Sequence, residues 1–292
     1  METAKSHKIL ITGATGNIGK ELTKYLSEKG VPFRAMVRSL DKVPAESKLH
    51  GEYVAGDFND ISSLEKSFAG IENAFLLTNS SELAEEQQIR FVEVAARAGV
   101  KHIVKLSQWA AALDSPVRFL RYHAAVEQAI IESGLKYTFL RPNLFMQGLL
   151  EFRDTIRFQD QFFGAIGDAK VSIVDIRDIA AAAGEALTNP LHENKIYNLT
   201  GPEALTHYQM AAQLSIAAGR NIRFVDIPSE ALRDMLRQVG FPDWQAEGLI
   251  EDYAHYKRGE ADTVEPGVVE ATGREPRSFN AFAADYAKLF AK

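Results

Sequence analysis

Apolar and polar positions come in blocks through the first 140 residues, and the block lengths alternate. Ile9-Leu10-Ile11 is an unbroken apolar run, as a strand buried on both faces requires. A glycine turn follows, then a segment with Ile18, Leu22 and Leu26 on one helical face, stopped by Gly30. Phe33 to Val37 and Glu52 to Val54 read as the second and third strands. Ile61, Leu64 and Phe68 fall in helical register before Gly70. Ala74 to Leu77 is the fourth strand, His102 to Leu106 the fifth and Lys136 to Leu140 the sixth. Helical patterns over Glu85 to Ala98 and Arg118 to Glu132 separate them. Strands separated by helices of roughly 10 to 15 residues imply parallel pairing with right-handed crossovers. The expected fold class is α/β, a doubly wound parallel Rossmann-type sheet.

After Pro142 the rhythm changes. A stretch carrying Phe145, Phe152, Phe158, Phe162 and Phe163 leads to a strand-like run, Lys170 to Val174. Asp175 to Leu187 has the Ala-rich face of a packed helix. Ile196 to Leu199 and Ile222 to Val225 read as strands. Helices are expected over Thr206 to Ala218, Ser229 to Val239 and Asp243 to Tyr256. The expectation is a dinucleotide-binding unit over residues 1–142 and a small α/β substrate lobe over 143–292, some of whose segments return to the first unit. Phe145, Leu149, Phe152 and Ile156 are spaced as one helical core stripe, and Phe282, Tyr286, Leu289 and Phe290 as a terminal helix that docks on the body.

Composition changes this picture only by exclusion. The 292 residues carry 33 Lys+Arg against 39 Asp+Glu, a formal charge of −6. That balance offers no footprint for a phosphate backbone, so nucleic acid is not an expected partner. There is no cysteine, which excludes disulfides and thiolate catalysis. The apolar run before Gly13 is too short for a signal peptide, and no run would span a membrane, so the expectation is a cytoplasmic protein. An oligomer is compatible with the sequence.

Thr12-Gly13-Ala-Thr-Gly16-Asn-Ile-Gly19 stands at the first strand-to-helix turn, where glycine spacing means most. Gly13 permits the turn, Gly16 a close approach to a pyrophosphate, and Gly19 close helix packing. Thr15, Asn17 and Ile18 complete the expected cofactor loop, and Thr78 and Asn79 after the fourth strand are grouped with it. The second strand ends at Arg38, with Lys42 a turn later, where an NAD-preferring site places a carboxylate. Either Arg38 grips a 2′-phosphate, favouring NADP(H) over NAD(H), or it is a solvated surface residue. Asp57 and Phe58 either meet an adenine, or Asp57 is a helix-preceding cap.

These residues, with Gly99-Val-Lys-His-Ile103, His123-x-x-x-Glu127, Leu140-Arg-Pro-Asn143, Val174-Asp175-Ile-Arg-Asp178-Ile-Ala180 and Tyr197-Asn-Leu, resemble the NmrA-like group of atypical short-chain dehydrogenases/reductases. The resemblance implies an extended Rossmann fold with a C-terminal substrate lobe. Its similar members are NADPH-dependent quinone reductases, dye reductases and proteins that only sense the cofactor. The superfamily's Tyr-x-x-x-Lys pair is missing from the helix after the fifth strand, where Tyr122 is followed four residues on by Val126.

The candidate catalytic residues are therefore His123, Ser107 and Tyr122. Glu127, at i+4, either orients or charges His123, or the two form a plain helix-face ion pair. Pro142 and Asn143 are expected beside the nicotinamide, with Asn143 on its carboxamide, and Trp109, Phe145 and Met146 as walls for the substrate. Phe145 and Met146 equally suit the core. Asp175 and Asp178 read as helix-start carboxylates, and no metal is expected. Such a weak acid set suits direct hydride transfer, without flavin, to quinones or similar delocalised aromatic acceptors. The competing reading is a non-catalytic NADP(H) sensor acting through a protein partner.

Overall fold

A computed structural model describes residues 8–43 and 51–292. Seven parallel strands form the main sheet: β1 (Ile9–Ile11), β2 (Arg34–Val37), β3 (Glu52–Ala55), β4 (Asn73–Leu76), β5 (His102–Leu106), β6 (Lys136–Pro142) and β9 (Lys195–Leu199). Their order is β3-β2-β1-β4-β5-β6-β9. The chain direction of winding reverses between β1 and β4, which is where an open α/β sheet leaves a crevice at its carboxyl edge.

Strand alternation sorts the core into two layers. Ile9, Ile11, Val104 and Leu106 face one layer, with Leu22 and Leu26 of α1 (Asn17–Glu28) and the Ala-rich α6 (Ile176–Thr188). Leu10, Ile103 and Phe139 face the other. That layer is covered by α2 (Ile61–Ser67), α3 (Ala84–Arg97) and α4 (Arg118–Glu132).

A second core gathers Met146, Leu149, Ile156, Phe162, Leu214, Phe224 and Phe282. It holds α5 (Arg153–Gln159), α7 (His207–Ala218) and α11 (Phe279–Phe290) around two strand pairs. These are parallel β7 (Gln161–Gly164) with β11 (Arg223–Asp226), and antiparallel β8 (Lys170–Val171) with β10 (Leu205–Thr206). The helices α8 (Ser229–Gln238), α9 (Asp243–Lys257) and α10 (Gly267–Thr272) complete the chain. Three later segments lie with the first unit: β9 pairs with β6, and α6 and α10 pack in its core. Gly184 of α6 leaves room for the Tyr25 ring of α1; a Cβ there would sit 2.4 Å from it.

Two expectations need correction. Phe145 to Ile156 is not one helical stripe: a 3-10 turn over Met146–Phe152 precedes α5. The cause is strand-like pairing at its start, where Val174 donates to the Leu144 carbonyl and accepts from the Met146 amide, both at 2.9 Å. On α11, Leu289 is exposed, while Phe279, Phe282 and Phe290 are buried. Thr206 caps α7 in a capping box with Gln209, a sufficient reason for the helix to start beside His207.

Candidate active site and cofactor cleft

The glycine loop has the backbone its spacing predicts. Gly13 lies at φ +66°, where a side chain is strained, and a Cβ on Gly19 would fall 2.1 Å from the Gly13 carbonyl oxygen. Thr15, Gly16 and Asn17 are exposed, and α1 starts at Asn17 with no side-chain cap. Ile18 is buried beneath them. The first amides of α1 therefore face open space with the positive end of the helix dipole, an arrangement that fits a pyrophosphate. Thr12 fixes the loop: its hydroxyl donates to the Phe75 carbonyl and accepts from the Leu77 amide at 2.8 Å.

Along the same edge, Arg38 is exposed just beyond β2 and pairs with no other described residue. The Lys42 side chain lies outside the described residues. Asp57 accepts from the Asn59 amide at 2.8 Å, a local turn that leaves its second carboxylate oxygen free of described partners. Phe58 is half-buried against Phe91, with ring centroids 5.6 Å apart. Thr78 accepts a hydrogen bond from Gln88, and Asn79 is exposed.

The network on α4 differs from the expected pairing. Glu127 does not orient His123. It accepts from the Ser107 hydroxyl at 2.5 Å and from both Nε and Nη2 of Arg141 on β6. These donors reach it from the strand ends, and together they use both carboxylate oxygens. His123 instead has its Nδ1 2.7 Å from Nζ of Lys105. Lys105 is fully buried and was not among the expected site residues; burial pushes its ammonium down to about 7, Glu127 opposing and Arg141 adding to the shift. Burial also holds the His123 imidazole well below its ordinary value, with Lys105 reinforcing it. Tyr122 is sealed among Phe119, Trp244 and the His123 ring, its hydroxyl 3.0 Å from that of Ser80. Burial pushes its phenol well above the ordinary range.

The remaining candidates are divided. Asn143 is buried with its amide engaged: Nδ2 donates to Ser172 and to the Ala261 carbonyl, both at 2.9 Å, and Oδ1 accepts from the Leu144 amide. No donor is left for a nicotinamide carboxamide in this arrangement; the side chain joins the β6 exit to the 260s loop. Pro142 is buried, and its carbonyl accepts from the Trp109 amide. Trp109 is half-buried and bonds the Glu260 carbonyl through its indole N–H. Phe145 is half-buried, whereas Met146 is 1% exposed and belongs to the second core. Asp175 caps α6 and pairs with Arg177, and Asp178 pairs with Arg277.

A further acid stands across the strand end. Gln108 donates its amide to both carboxylate oxygens of Asp252 on α9, at 3.1 and 2.9 Å. Burial pushes the Asp252 carboxyl up to about 7, while Gln108 pulls it down. Folding thus favours its protonated form, so the folded chain binds more protons than the unfolded one between about pH 4 and 7. Stability from this group is present below that window and falls as pH rises through it. Asp252→Asn removes the dependence. Thermal melts at pH 5 and pH 8 should show the variant gaining on the wild type at the higher pH, by on the order of a few kcal/mol. Parallel pH profiles for the two proteins would contradict the assignment.

The model of the NmrA-like family matches residues 5–283. The chain belongs to the NmrA-like family. One relative, an NAD(P)H azoreductase of Xenophilus azovorans, is 38% identical over 286 residues, which span 97% of this chain and 99% of the relative. The crystal structure of an NADPH-dependent quinone oxidoreductase from Escherichia coli, complexed with NADPH, matches with a TM-score of 0.85 at 27% identity. That match covers 95% of this chain and 99% of the other. Citrobacter sp. triphenylmethane reductase complexed with NADP(H) matches with a TM-score of 0.84 at 28% identity, over 96% of this chain and 99% of that one. No helix among the described residues is long and apolar enough to cross a membrane.

Proposed function

We propose that this NmrA-like protein is an NADPH-dependent reductase that passes hydride directly to a quinone or a similar delocalised aromatic acceptor, azo compounds included. When bound, the dinucleotide supplies the hydride. The chain's contribution is to bind, orient and hold protons. The open amides of α1 would take the pyrophosphate, and Arg38, which has a guanidinium free of described partners, the 2′-phosphate. Asp57 keeps one carboxylate oxygen for the adenine side.

The observation that carries this reading is the state of Tyr122. It is the one phenol on α4, and it is sealed against Ser80 with its acidity reduced. Reducing an alkyl ketone creates a strongly basic alkoxide and demands a well-placed acid. A reduced quinone is a phenolate whose conjugate acid has a pKa of about 10, so it needs far less help. His123, at the strand end, is the group left to face such an oxygen. Family membership and the azoreductase, quinone-reductase and triphenylmethane-reductase relatives support the same acceptor class.

The test is oxidation of NADPH by the purified protein with a small quinone and with an azo dye, NADH run alongside. Acceptor-dependent oxidation that prefers NADPH is expected. Tight cofactor binding without turnover across quinones and dyes would replace the reductase with a sensor. Arg38→Ala should raise the KM for NADPH by about 10- to 100-fold, the worth of a charge-assisted phosphate contact, and change that for NADH by less than about threefold. Equal losses for both cofactors would refute the phosphate assignment.

A further inference from the structure

We infer that Lys105 is a positioning residue that holds His123 as the tautomer with its N–H at Nε2, so that a hydrogen-bond donor faces the strand-end cleft. This rests on the reductase reading only for the identity of the acceptor that the donor meets.

The geometry begins with strand alternation. Lys105 shares the face of Ile103, toward α4, and its register partners on that face are Leu76 of β4 and Phe139 of β6. Apolar neighbours on both sides leave the side chain one way to satisfy its head, upward to the end of the sheet. There Nζ donates to the Leu106 carbonyl at 3.0 Å and meets His123 Nδ1 at 2.7 Å. An ammonium has three donors and no acceptor, so Nδ1 must be the acceptor and the ring proton sits on Nε2. No described residue bonds Nε2. Because α4 runs antiparallel to the strands, Glu127 lies about 6 Å deeper along the axis than His123. Yet Glu127 still reaches Ser107, which is the first residue past β5. His123 is therefore level with or above the strand ends.

The charged and titratable groups facing Lys105 are His123 and Glu127 from α4 and Arg141 from β6. Glu127 favours the ammonium, and Arg141 and burial oppose it. Near neutral pH and below, the ammonium locks the tautomer; well above, a neutral amine carries a lone pair and the lock is released. A purely structural residue here would be apolar, since an ammonium forfeits its hydration on burial. The cleft donor suits an acceptor atom that gains electron density on reduction, a quinone oxygen or an azo nitrogen. A cationic dye that takes hydride at its central carbon becomes neutral and takes up no proton.

The test is Lys105→Met, which keeps the unbranched shape and removes the donor. Histidine-labelled wild-type protein at pH 6 should show His123, assigned by loss of its signal in His123→Gln, as the Nε2–H tautomer in long-range ¹H–¹⁵N spectra. In Lys105→Met the signal should move to a mixture with the Nδ1–H form. Thermal stability should hold or rise, kcat with a quinone should fall at least about tenfold, and kcat with a cationic triphenylmethane dye should change less than about twofold. A wild-type Nδ1–H tautomer, or an unchanged tautomer in the variant, overturns the inference. If neither acceptor is turned over, the reductase reading fails while the spectra still decide the role of Lys105.

Discussion

Gly19→Ala is expected to raise the Kd for NADPH at least about 100-fold and to lower the melting temperature by a few degrees. The added Cβ would lie 2.1 Å from the Gly13 carbonyl oxygen and 2.7 Å from the Ala14 Cα. Both obstacles are backbone, so no flexible side chain can yield. Overpacking of this kind costs about 1–3 kcal/mol in stability. The larger effect falls on the ligand. To relieve the contact, α1 must move away from its entry turn, and the uncapped amides at Asn17 and Ile18 move with it. Anion binding there depends on several N–H groups converging on one phosphate, which a displacement of an ångström undoes. Calorimetric titration with NADPH and a thermal melt check both parts. A variant that binds NADPH as tightly as the wild type would mean that the loop is not the phosphate site.

Glu127→Ala should be the most destabilising single change in the α4 network, by about 3–5 kcal/mol. Glu127 is 5% exposed, and its carboxylate gathers Ser107 and both Nε and Nη2 of Arg141, and favours a charged Lys105. Truncation strands a guanidinium whose side chain is only 22% exposed and a buried hydroxyl, and leaves Lys105 facing Arg141 unopposed. The expected signature in urea is a lower midpoint with an unchanged slope. Glu127→Gln keeps an acceptor for Ser107 and should lose less. A loss below about 1 kcal/mol for the alanine variant would show that Arg141 finds water at no cost.

The alternation of strands and helices was legible because each apolar run has a length and flanks that admit one reading. The backbone of the glycine loop was legible because a turn directly after β1 into α1 calls for glycine at Gly13 and Gly19. His123 and Glu127 show where such reading stops. An i, i+4 spacing puts two side chains on one helix face, but it does not say which groups arrive from other elements to claim them. Arg141 and Ser107 claim Glu127, and Lys105 claims His123. One signal for Lys105 was present: a lysine inside His-Ile-Val-Lys-Leu, a strand covered on both faces, interrupts a run that should be apolar. Asp252 gave none, since a carboxylate in a mixed helix reads as solvated until packing shows that Gln108 meets it. The engagement of Asn143 by Ser172 and the Ala261 carbonyl was equally out of reach, because those partners stand 29 and 118 residues away.

The seating of Tyr25 against Gly184 ties the first helix to a partner made much later in the chain. The helix that follows the glycine loop is complete at Glu28, but α6, which covers its apolar side, ends at Thr188. The open edge of β6 likewise waits for β9, which ends at Leu199. A nascent chain stopped at Pro142 would carry the glycine loop with Leu22, Leu26 and a bare strand edge turned to water. Such a fragment leaves uncovered the apolar side chains and strand edge that aggregation uses. The first helix is thus held by sequence that leaves the ribosome 160 residues later, where Glu185 accepts from the Tyr25 hydroxyl.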